Sequence, residues 1–462
     1  MVINCLKTLI KRCKERQAKI AVVGDLMVDQ YYHIKADKLS PEFPIVRLLS
    51  DTDIPDVTVP GGAGNLCRQF QNFNITLQAL GFIDEYGREI YNRSGINTSS
   101  CLLVNGHIPV KRRFYQDQFP LCRWDVEPKY YGMGNMLADC QELLLDRLDG
   151  SNEVIVFVDY NKGVFCDFKM SWFSQTGDAI TIVDPKSRPI ERWKGCTVFK
   201  LNAKEAQDLS GVSEWKEQCN IFQKELHCVA VVITHGGEGV YGKVGGLYFD
   251  YHSPYKAICE SVIGAGDCFA AVLAVAMAHT LDIVDAAKIA YEAGAVYVGR
   301  KYNEPIKFYD ILKRLDPIEA KFVDLDFLKD RNYKLAFTNG VYDLIHMGHV
   351  ELLRYAKSLG DKLVVAINSD KSVKSIKSPS RPIIPLEQRM RIISELECVD
   401  FVISFDSDTP HDLIKYLNPE VLIKGADWGA NIVGAEFAGK VVSFPLVAGL
   451  STTNIIDKIC QV

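Results

Sequence analysis

Short apolar runs alternate with helix-like segments along most of the chain. In the first two-thirds, four of these runs have the length of buried strands and are separated by segments with helical spacing of apolar residues. They cover residues 20–23, 154–158, 180–183 and 229–233. Regular alternation of strand and helix predicts an α/β fold with largely parallel sheets.

A charged stretch at 307–332 separates this pattern from a second alternation. We place a domain boundary there, near Asp330, and predict one domain at 1–325 and another at 333–462. The second domain has the size of one doubly wound unit. Its predicted strands are 333–337, 363–367, 401–404, 421–423 and 441–444, and its predicted helices are 350–359, 386–396, 409–417 and 453–459.

The turn between the first strand and first helix of the second domain carries a group of polar residues and two histidines. N–H groups at a helix start bind anions, and His346 and His349, three residues apart, can face the same side. Two imidazoles there suit a polyphosphate whose charge grows during attack at its α-phosphorus. Core or capping histidines are the alternative. The predicted nucleotide-binding residues of this turn are Thr338, Asn339, Gly340 and Asp343.

Further candidates follow later strands of the second domain. Asn368 and Asp370 can hold sugar hydroxyls, and Arg381 and Arg389 flank a proline-containing loop suited to phosphate oxygens, although ordinary surface charge would also explain the arginines. Lys424 can face a leaving pyrophosphate. A serine and two threonines start the last helix, where they either cap it or bind phosphates: Ser451, Thr452 and Thr453.

Glycine-containing turns mark two candidate sites in the first domain. Gly61 and Gly62 precede a helical run and let a ligand approach the backbone, and Asn65 offers a donor and an acceptor; a plain tight turn is the alternative. Before a long apolar helix, small residues can bind a transferring phosphoryl group and an aspartate can act as base, although that aspartate could simply cap the helix. These residues are Gly264, Ala265, Gly266 and Asp267.

Two more groups of polar residues directly follow predicted strands of the first domain. Loops at the carboxyl ends of parallel strands are where such sheets bind ligands. Asp184 and Lys186 follow one strand, and we expect them on the substrate side. The second group comprises Asn202, Ala203, Lys204 and Glu205, and we expect a ligand at this loop as well.

Composition narrows the classes of function. The hydrophobic fraction is 48% and the charged fraction is 24%, as in ordinary globular proteins, and a net charge of −5 gives no support to nucleic-acid binding. Fourteen cysteines without metal-ligand spacing indicate a reducing compartment. The longest apolar run, at 268–278, is too short to span a bilayer. We expect a cytoplasmic protein without nucleic-acid or membrane partners.

From about residue 18 to 315 the chain resembles the ribokinase (PfkB) family of sugar kinases. The resemblance rests on the aspartates of Gly24-Asp25-x-x-x-Asp29, the glycine pair with Asn65, Asn202-x-x-Glu205, and Gly-Ala-Gly-Asp. It implies that Asp25, Asp29 and the glycine signature bind the sugar and that Asp267 is the base. It also implies that the segment from Asn202 through Ala203 and Lys204 to Glu205 binds nucleotide, with Glu205 serving Mg²⁺ indirectly. Ser261 and Ile263 replace the family's usual Asp and Thr, which puts a monovalent-cation site in question, and Leu201 replaces its usual Pro.

His-Met-Gly-His resembles the HxGH signature of nucleotidylyltransferases of the cytidylyltransferase-like branch. Across nearly the whole chain, the order of motifs resembles bifunctional enzymes that pair a heptose 7-phosphate kinase with a heptose 1-phosphate adenylyltransferase. That resemblance implies ATP, Mg²⁺ and heptose phosphates as ligands, ADP-heptose for lipopolysaccharide core as product, and a homodimer through the kinase domain. It suggests a 7-phosphate contact for the basic cluster of Lys111, Arg112 and Arg113, which could instead be solvated charge.

Two other functions stay open at this point. The HxGH motif does not select the base, so another sugar kinase joined to a cytidylyltransferase is one alternative. A transferase whose kinase half only senses its ligand is the other, motivated by Ser261 and Ile263.

Overall fold

The computed structural model describes residues 2–39, 46–50, 52–117, 119–127, 141–165, 173, 176–186, 188–425, 432–445 and 452–460. The chain forms two compact units, Met1–Leu315 and Asp316–Val462. The division thus lies before the predicted boundary, and the start of the second unit has clear contacts within that unit. Lys321 Nζ donates to the carbonyl oxygens of Ser394 and Leu396, and Phe322 forms a parallel bridge with Val402.

The first unit is built on a sheet whose strand order is β16-β15-β14-β13-β12-β11-β1-β6. All neighbours from β6 to β14 are parallel, and β15 and β16 add an antiparallel hairpin at one edge. The strands are β1 Ala18–Gly24, β2 Leu26–His33, β3 Lys35–Leu39, β4 Val46–Leu49, β5 Val57–Gly62, β6 Ile75–Leu80, β7 Phe82–Ile83, β8 Leu102–Leu103, β9 Val110–Gln116, β10 Phe119–Val126, β11 Val154–Asp159, β12 Ile180–Pro185, β13 Val198–Asn202, β14 Ala230–Thr234, β15 Val240–Val244 and β16 Leu247–Tyr251.

Helices cover both faces of this sheet. Side chains alternate between the faces of a strand, so in β1 Ile20 and Val22 join one apolar cluster, whereas Ala21 and Val23 join the other. A strand buried on both sides has to be apolar throughout, which is why β1 and β11 were predictable. The helices of this unit are α1 Val2–Glu15, α2 Ala63–Gln69, α3 Glu85–Arg93, α4 Ala203–Ser210, α5 Trp215–Leu226, α6 Ala265–Ala278, α7 Ile283–Tyr297 and α8 Phe308–Leu315.

A second sheet of the first unit has the order β10-β9-β2-β5, and we call it the small sheet. Strand β2 runs parallel to β9 and antiparallel to β5. This arrangement sets Asp29 opposite Lys111 on β9 and opposite Val59 on β5, close to the glycine pair that ends β5. The small sheet was not predicted from the sequence.

The second unit contains one sheet of five parallel strands in the order β19-β18-β17-β20-β21. Its strand order reverses between β18 and β20 around β17, and such a point is where doubly wound sheets bind ligands. The strands are β17 Leu335–Gly340, β18 Lys362–Asn368, β19 Phe401–Phe405, β20 Val421–Gly425 and β21 Lys440–Phe444. The helices are α9 Leu325–Lys329, α10 Met347–Ser358, α11 Asp370–Ile376, α12 Leu386–Ser394, α13 His411–Leu417 and α14 Thr452–Cys460. Across the described part of the chain, no helix has both the length and the apolar character to cross a bilayer.

Candidate active sites

Asp267 is the third residue of α6 and is 3% exposed. Two neutral donors hold its carboxylate: Tyr160 OH lies 2.6 Å from Oδ1, and Asn65 Nδ2 lies 2.7 Å from Oδ2. Burial raises the pKa of Asp267, and the hydrogen bonds from Tyr160 and Asn65 oppose that rise. The carboxylate is therefore held in one orientation and shielded from solvent, an arrangement that suits a general base.

The turn before Asp267 has room only for small residues. Gly264 has φ +78°, and a Cβ there would lie 2.4 Å from Asn65 Nδ2 and 2.5 Å from Tyr297 OH. A Cβ on Gly266 would approach Lys200 Nζ to 3.0 Å. Ala265 begins the helix, whose first N–H groups have no partner within the helix. Small residues at a helix start are compatible with a phosphoryl group close to the backbone, and the anion-binding role of this turn stays a prediction.

The sugar-side residues predicted from the glycine signature come together around Asp29. Arg113 Nη2 lies 3.3 Å from Asp29 Oδ1, and a Cβ on Gly61 would lie 2.7 Å from Oδ2. Gly62 has φ +56° and caps α2. Asn65, two residues into that helix, donates to Asp267, so the glycine signature connects the surroundings of Asp29 to Asp267.

Asp25 has a different position from the one predicted. Its buried carboxylate accepts hydrogen bonds from the backbone N–H groups of Tyr160 (2.8 Å), Lys162 (3.0 Å) and Val164 (3.1 Å). Because Asp25 is buried and accepts from three backbone donors, we revise the predicted sugar contact: Asp25 fixes the loop that places Tyr160 beside Asp267.

On the nucleotide side, Asn202 and Glu205 hold each other at the start of α4. Asn202 Oδ1 accepts from Glu205 N at 2.8 Å, and Glu205 Oε2 accepts from Asn202 N at 2.9 Å, a capping box. Ala203 and Lys204 lie between them in the first helical turn. The other oxygen of Glu205 pairs with Lys186, so the carboxylate is held between the helix start and a lysine.

Asp184 connects Lys186 to the turn at Gly264 to Gly266. It lies 3.5 Å from Lys186 Nζ and 3.0 Å from Lys200 Nζ, and Lys200 Nζ lies 3.4 Å from the carbonyl oxygen of Gly266. Burial acts to raise the pKa of Asp184, but the ammonium groups of Lys186 and Lys200 lower it by more. The pKa therefore lies below its usual value, and the carboxyl is ionised.

The basic cluster of β9 divides between two faces of the strand. Lys111 Nζ lies 4.9 Å from the ring of Tyr160, on the side of the base, and Arg113 reaches Asp29. Arg112 points the other way and stacks on Trp124 at 4.7 Å. Only Lys111 and Arg113 therefore face the site.

In the second unit, Asp343 organises the turn that follows β17. Its two oxygens accept from the backbone N–H groups of Ile383 and Ile384, each at 2.9 Å, and Arg381 Nε lies 2.7 Å from Oδ2. Thr452 Oγ1 donates to the Asp343 carbonyl at 3.2 Å. The proline loop and the start of α14 are thereby fixed around the turn, and Asp343 acts through these contacts.

The two histidines lie at the start of α10. Their rings stack with centroids 3.9 Å apart, and His346 N donates to His349 Nδ1 at 3.4 Å. Burial lowers the pKa of His346. Burial together with the neighbouring His346 lowers the pKa of His349 to about 4. Both imidazoles are therefore neutral near pH 7 and can donate a hydrogen bond without carrying charge.

Other predicted residues lie at the carboxyl ends of neighbouring strands. Thr338 and Asn339 lie at the end of β17 with Gly340 as its last residue, Asn368 is the last residue of β18, and Lys424, buried, is next to last in β20. Because β18 and β20 flank β17, these side chains and the histidine turn share one edge of the sheet. Ser451 lies outside the described residues, and the side chain of Thr453 is not described.

Arg389 is buried instead of facing a nucleotide. It is 0% exposed, and its guanidinium donates to Ile384 O (2.9 Å), Val341 O (2.6 Å) and Asp370 Oδ1 (2.7 Å). We revise its predicted phosphate contact, because these bonds occupy all three nitrogens. Arg389 ties the proline loop to the turn after β17, and it occupies an oxygen of Asp370, which was predicted to bind sugar.

Two family models match the chain: a pfkB family carbohydrate kinase over residues 150–305 and a cytidylyltransferase-like model over residues 337–459. The bifunctional protein HldE of Geobacter sulfurreducens is 32% identical over 473 residues, which cover 95% of each chain. The chain belongs to the HldE family. The HldE protein of Campylobacter jejuni subsp. doylei is 31% identical over 476 residues, covering 98% of this chain and 99% of the relative. Like its family, the chain is an enzyme with a sugar kinase half and a nucleotidyltransferase half, as predicted.

Solved structures match the kinase half. Phosphofructokinase-2 from Escherichia coli in complex with potassium has a TM-score of 0.52 at 14% identity, covering 65% of this chain and 98% of that chain. The same enzyme in complex with substrates and products has a TM-score of 0.51 at 14% identity, covering 64% and 98%. At this identity the likeness concerns the fold. With the two family models, it confirms the predicted ribokinase-like domain followed by a Rossmann-like nucleotidylyltransferase domain.

The structure adds residues that sequence reasoning missed. Tyr160 donates to Asp267, Lys200 is buried beneath the turn at Gly264 to Gly266, and Tyr297 and Asn303 lie between Asp29 and Asp267. None belongs to a glycine-rich or charged motif. A buried lysine inside the apolar strand β13 was the one local signal available, since lysine is almost never fully buried without a partner.

Proposed function

We propose that this chain catalyses two steps toward ADP-heptose, the sugar donor for the lipopolysaccharide inner core. The first unit moves the γ-phosphate of ATP to the C1 hydroxyl of heptose 7-phosphate. A separate phosphatase then removes the 7-phosphate, and the second unit joins AMP from ATP to heptose 1-phosphate with release of pyrophosphate. The observation that carries the proposal is the near full-length match to HldE proteins, with one polar site in each unit.

In the kinase reaction, Asp267 takes the proton of the C1 hydroxyl while that oxygen attacks the γ-phosphorus. The backbone N–H groups of the turn at Gly264 to Gly266 stabilise charge on the transferred group. Asp29 accepts hydrogen bonds from the sugar hydroxyls. Lys111 and Arg113, which face the same side of β9, are suited to the 7-phosphate.

ATP brings Mg²⁺, which would neutralise phosphate charge during both transfers. Glu205 already accepts from Asn202 N and pairs with Lys186, so it would reach the ion through water instead of ligating it directly. Asn202 and Glu205 therefore fit an indirect role in holding Mg-ATP. Lys186 lies between Glu205 and Asp184, where its ammonium group can contact the phosphates of ATP.

In the adenylyl transfer, the 1-phosphate of the sugar is itself the nucleophile, and the site only has to hold it in line. The neutral imidazoles of His346 and His349 donate hydrogen bonds to the α-phosphate at the start of α10. Lys424 faces the leaving pyrophosphate, and Thr452 at the start of α14 is suited to the β- and γ-phosphates. Asn368, at the end of β18, lies at the same edge for the sugar or ribose hydroxyls.

The test is an end-point assay read by mass spectrometry. One tube contains D-glycero-D-manno-heptose 7-phosphate with Mg-ATP, and a second contains heptose 1-phosphate with either ATP or CTP. We expect a heptose bisphosphate in the first tube and ADP-heptose in the second. CDP-heptose would contradict the choice of base, a missing bisphosphate would contradict a working kinase, and no turnover in either tube would contradict the heptose assignment.

The proposal includes a homodimer that forms through the first unit, as the resemblance implies. Sedimentation equilibrium of the full chain tests it, and a monomer at micromolar concentration would contradict it.

A further inference from the structure

A buried row of polar groups joins the two carboxylates of the kinase site. Asn303 Nδ2 lies 3.2 Å from Asp29 Oδ2, Tyr297 OH lies 3.3 Å from Asn303 Oδ1, and Asn65 Nδ2 lies 3.4 Å from Tyr297 OH and 2.7 Å from Asp267 Oδ2. None of the five residues is more than 5% exposed. Polar groups buried this deeply are costly unless every member is satisfied, so the row is constrained in geometry.

The partners of Asn303 fix the direction of the row. Its Oδ1 accepts from Tyr297 OH and from Tyr31 OH, each at 3.3 Å, so its NH₂ group must face Asp29. The NH₂ group of Asn65 serves Asp267 and the hydroxyl of Tyr297. Each end of the row is therefore a donor aimed at a carboxylate oxygen, Asn303 at Asp29 and Asn65 at Asp267.

The backbone at Asn303 is held in an unusual conformation. Tyr302 has φ +53° and Asn303 has φ +57°, a region that residues other than glycine rarely occupy. Residues of α2 secure this loop: Arg68 Nη1 donates to Tyr302 O at 3.3 Å, and Gln69 Nε2 donates to Asn303 O at 3.4 Å. Two consecutive residues of this kind persist only where the surroundings enforce them, and such positions cluster at functional sites.

Tyr297 also touches the anion-binding turn. A Cβ on Gly264 would lie 2.5 Å from the Tyr297 hydroxyl, so the hydroxyl packs directly against the backbone of that turn. The row thus contacts the three parts of the kinase site that have to stay in register: the sugar-binding carboxylate, the base and the turn that receives the phosphoryl group.

We propose that Asn303 and Tyr297 are positioning residues of the kinase reaction, which hold Asp29, Asp267 and the turn at Gly264 in one fixed arrangement. The proposal rests on the kinase activity assigned above. Asn303 acts on sugar binding, because its direct partner is Asp29. Tyr297 acts on the rate of phosphoryl transfer, because besides Asn303 it contacts the turn at Gly264 and Asn65, the donor to Asp267. The two residues should therefore affect different kinetic constants.

The experiment compares Tyr297→Phe and Asn303→Gly in the full-length chain. Tyr297→Phe removes only the hydroxyl, and glycine at 303 removes the amide while tolerating the positive φ. Tyr291→Phe is the matched control, because Tyr291 lies on the same helix and packs against Tyr251, outside the row. The adenylyl-transfer rate of each variant and its thermal unfolding report on folding independently of the kinase reaction.

We expect Tyr297→Phe to lower the kinase kcat about 10-fold with the KM for sugar phosphate within about 2-fold, the size of one lost hydrogen bond to a polar or charged partner. Asn303→Gly should raise the KM for sugar phosphate about 10-fold and leave the KM for ATP unchanged. The combined variant should lose less than the product of the two effects, because both act on one row. Tyr291→Phe should match the native chain.

Native constants in both variants would overturn the proposal while leaving the kinase assignment intact. Equal losses in kcat and adenylyl-transfer rate, with a lowered unfolding temperature, would also overturn it, because they would show a general structural role. If the native chain fails to phosphorylate heptose 7-phosphate or any other sugar phosphate, the kinase assignment itself falls, and the positioning role falls with it.

Discussion

Replacing Arg389 separates a structural role from nucleotide binding. Arg389→Met keeps a long side chain but removes the donors to the carbonyl oxygens of Val341 and Ile384 and to Asp370. Each carbonyl left without its charged donor costs about 1–2 kcal/mol, and the half-exposed Asp370 pair adds no more than about 1 kcal/mol. The free energy of unfolding of the second unit should fall by about 2–5 kcal/mol, a large part of the stability of an ordinary domain.

Calorimetry and kinetics together provide the assay. We expect the second unit of Arg389→Met to unfold roughly 5–15 °C below its native temperature, with the kinase constants unchanged. Arg391→Met is the matched control on the same helix, since the Arg391 side chain is 48% exposed and pairs with Glu395 at the surface; it should change stability by less than about 0.5 kcal/mol. A higher KM for ATP in Arg389→Met with an unchanged unfolding temperature would refute the structural role and restore the phosphate contact predicted from the sequence.

Four further predictions concern protons. Asp267→Asn should lower the kinase rate by about 10²–10⁴-fold with adenylyl transfer intact, and a residual rate near native would remove Asp267 as the base. Tyr160→Phe removes a hydrogen bond that lowers the pKa of Asp267, so that pKa should rise and the acid limb of the kcat profile should move to higher pH; an unmoved limb would contradict this. With the pKa of His349 near 4, adenylyl transfer should vary less than about 2-fold from pH 6 to 8. Because folding favours neutral His349, the stability that this residue contributes above about pH 6.5 should decline as the pH falls toward 4. Thermal unfolding measured across this pH range tests the prediction, and a rise in stability with falling pH would contradict it.

Sheet strands buried on both faces were predictable, whereas the small sheet was not. Strand β11 was expected at 154–158 and occupies Val154–Asp159, because a central parallel strand has to be apolar throughout. Strand β9 has the sequence VKRRFYQ and is partly exposed along its whole length. Its sequence has neither an apolar run nor a regular alternation of apolar and polar residues. Only its pairing with β2 and β10 identifies it as a strand.

The same distinction applies to the site residues. Motif residues such as Asp267 were found because glycines, a helix start and an acid lie next to one another in the sequence. Tyr160 and Asn303 were missed because their site contacts lie far away along the chain: the partner of Tyr160 is 107 positions away, and that of Asn303 is 274 positions away. Arg389 was misplaced for a related reason, since its three acceptors come from separate segments and its burial cannot be deduced from its neighbours.

Both units use a motif aspartate to hold a loop. Asp25 accepts three backbone N–H groups of the loop at 160–164, and Asp343 accepts those of Ile383 and Ile384. A carboxyl group has two acceptor oxygens and can take several donors at once, whereas asparagine offers one acceptor oxygen and an NH₂ group that would face other donors. Even the isosteric change to asparagine would leave at least one loop N–H without a partner in either unit. Loop geometry therefore favours aspartate at both positions. Each aspartate places its neighbours: Tyr160 beside Asp267 in one unit, and the proline loop beside the histidine turn in the other.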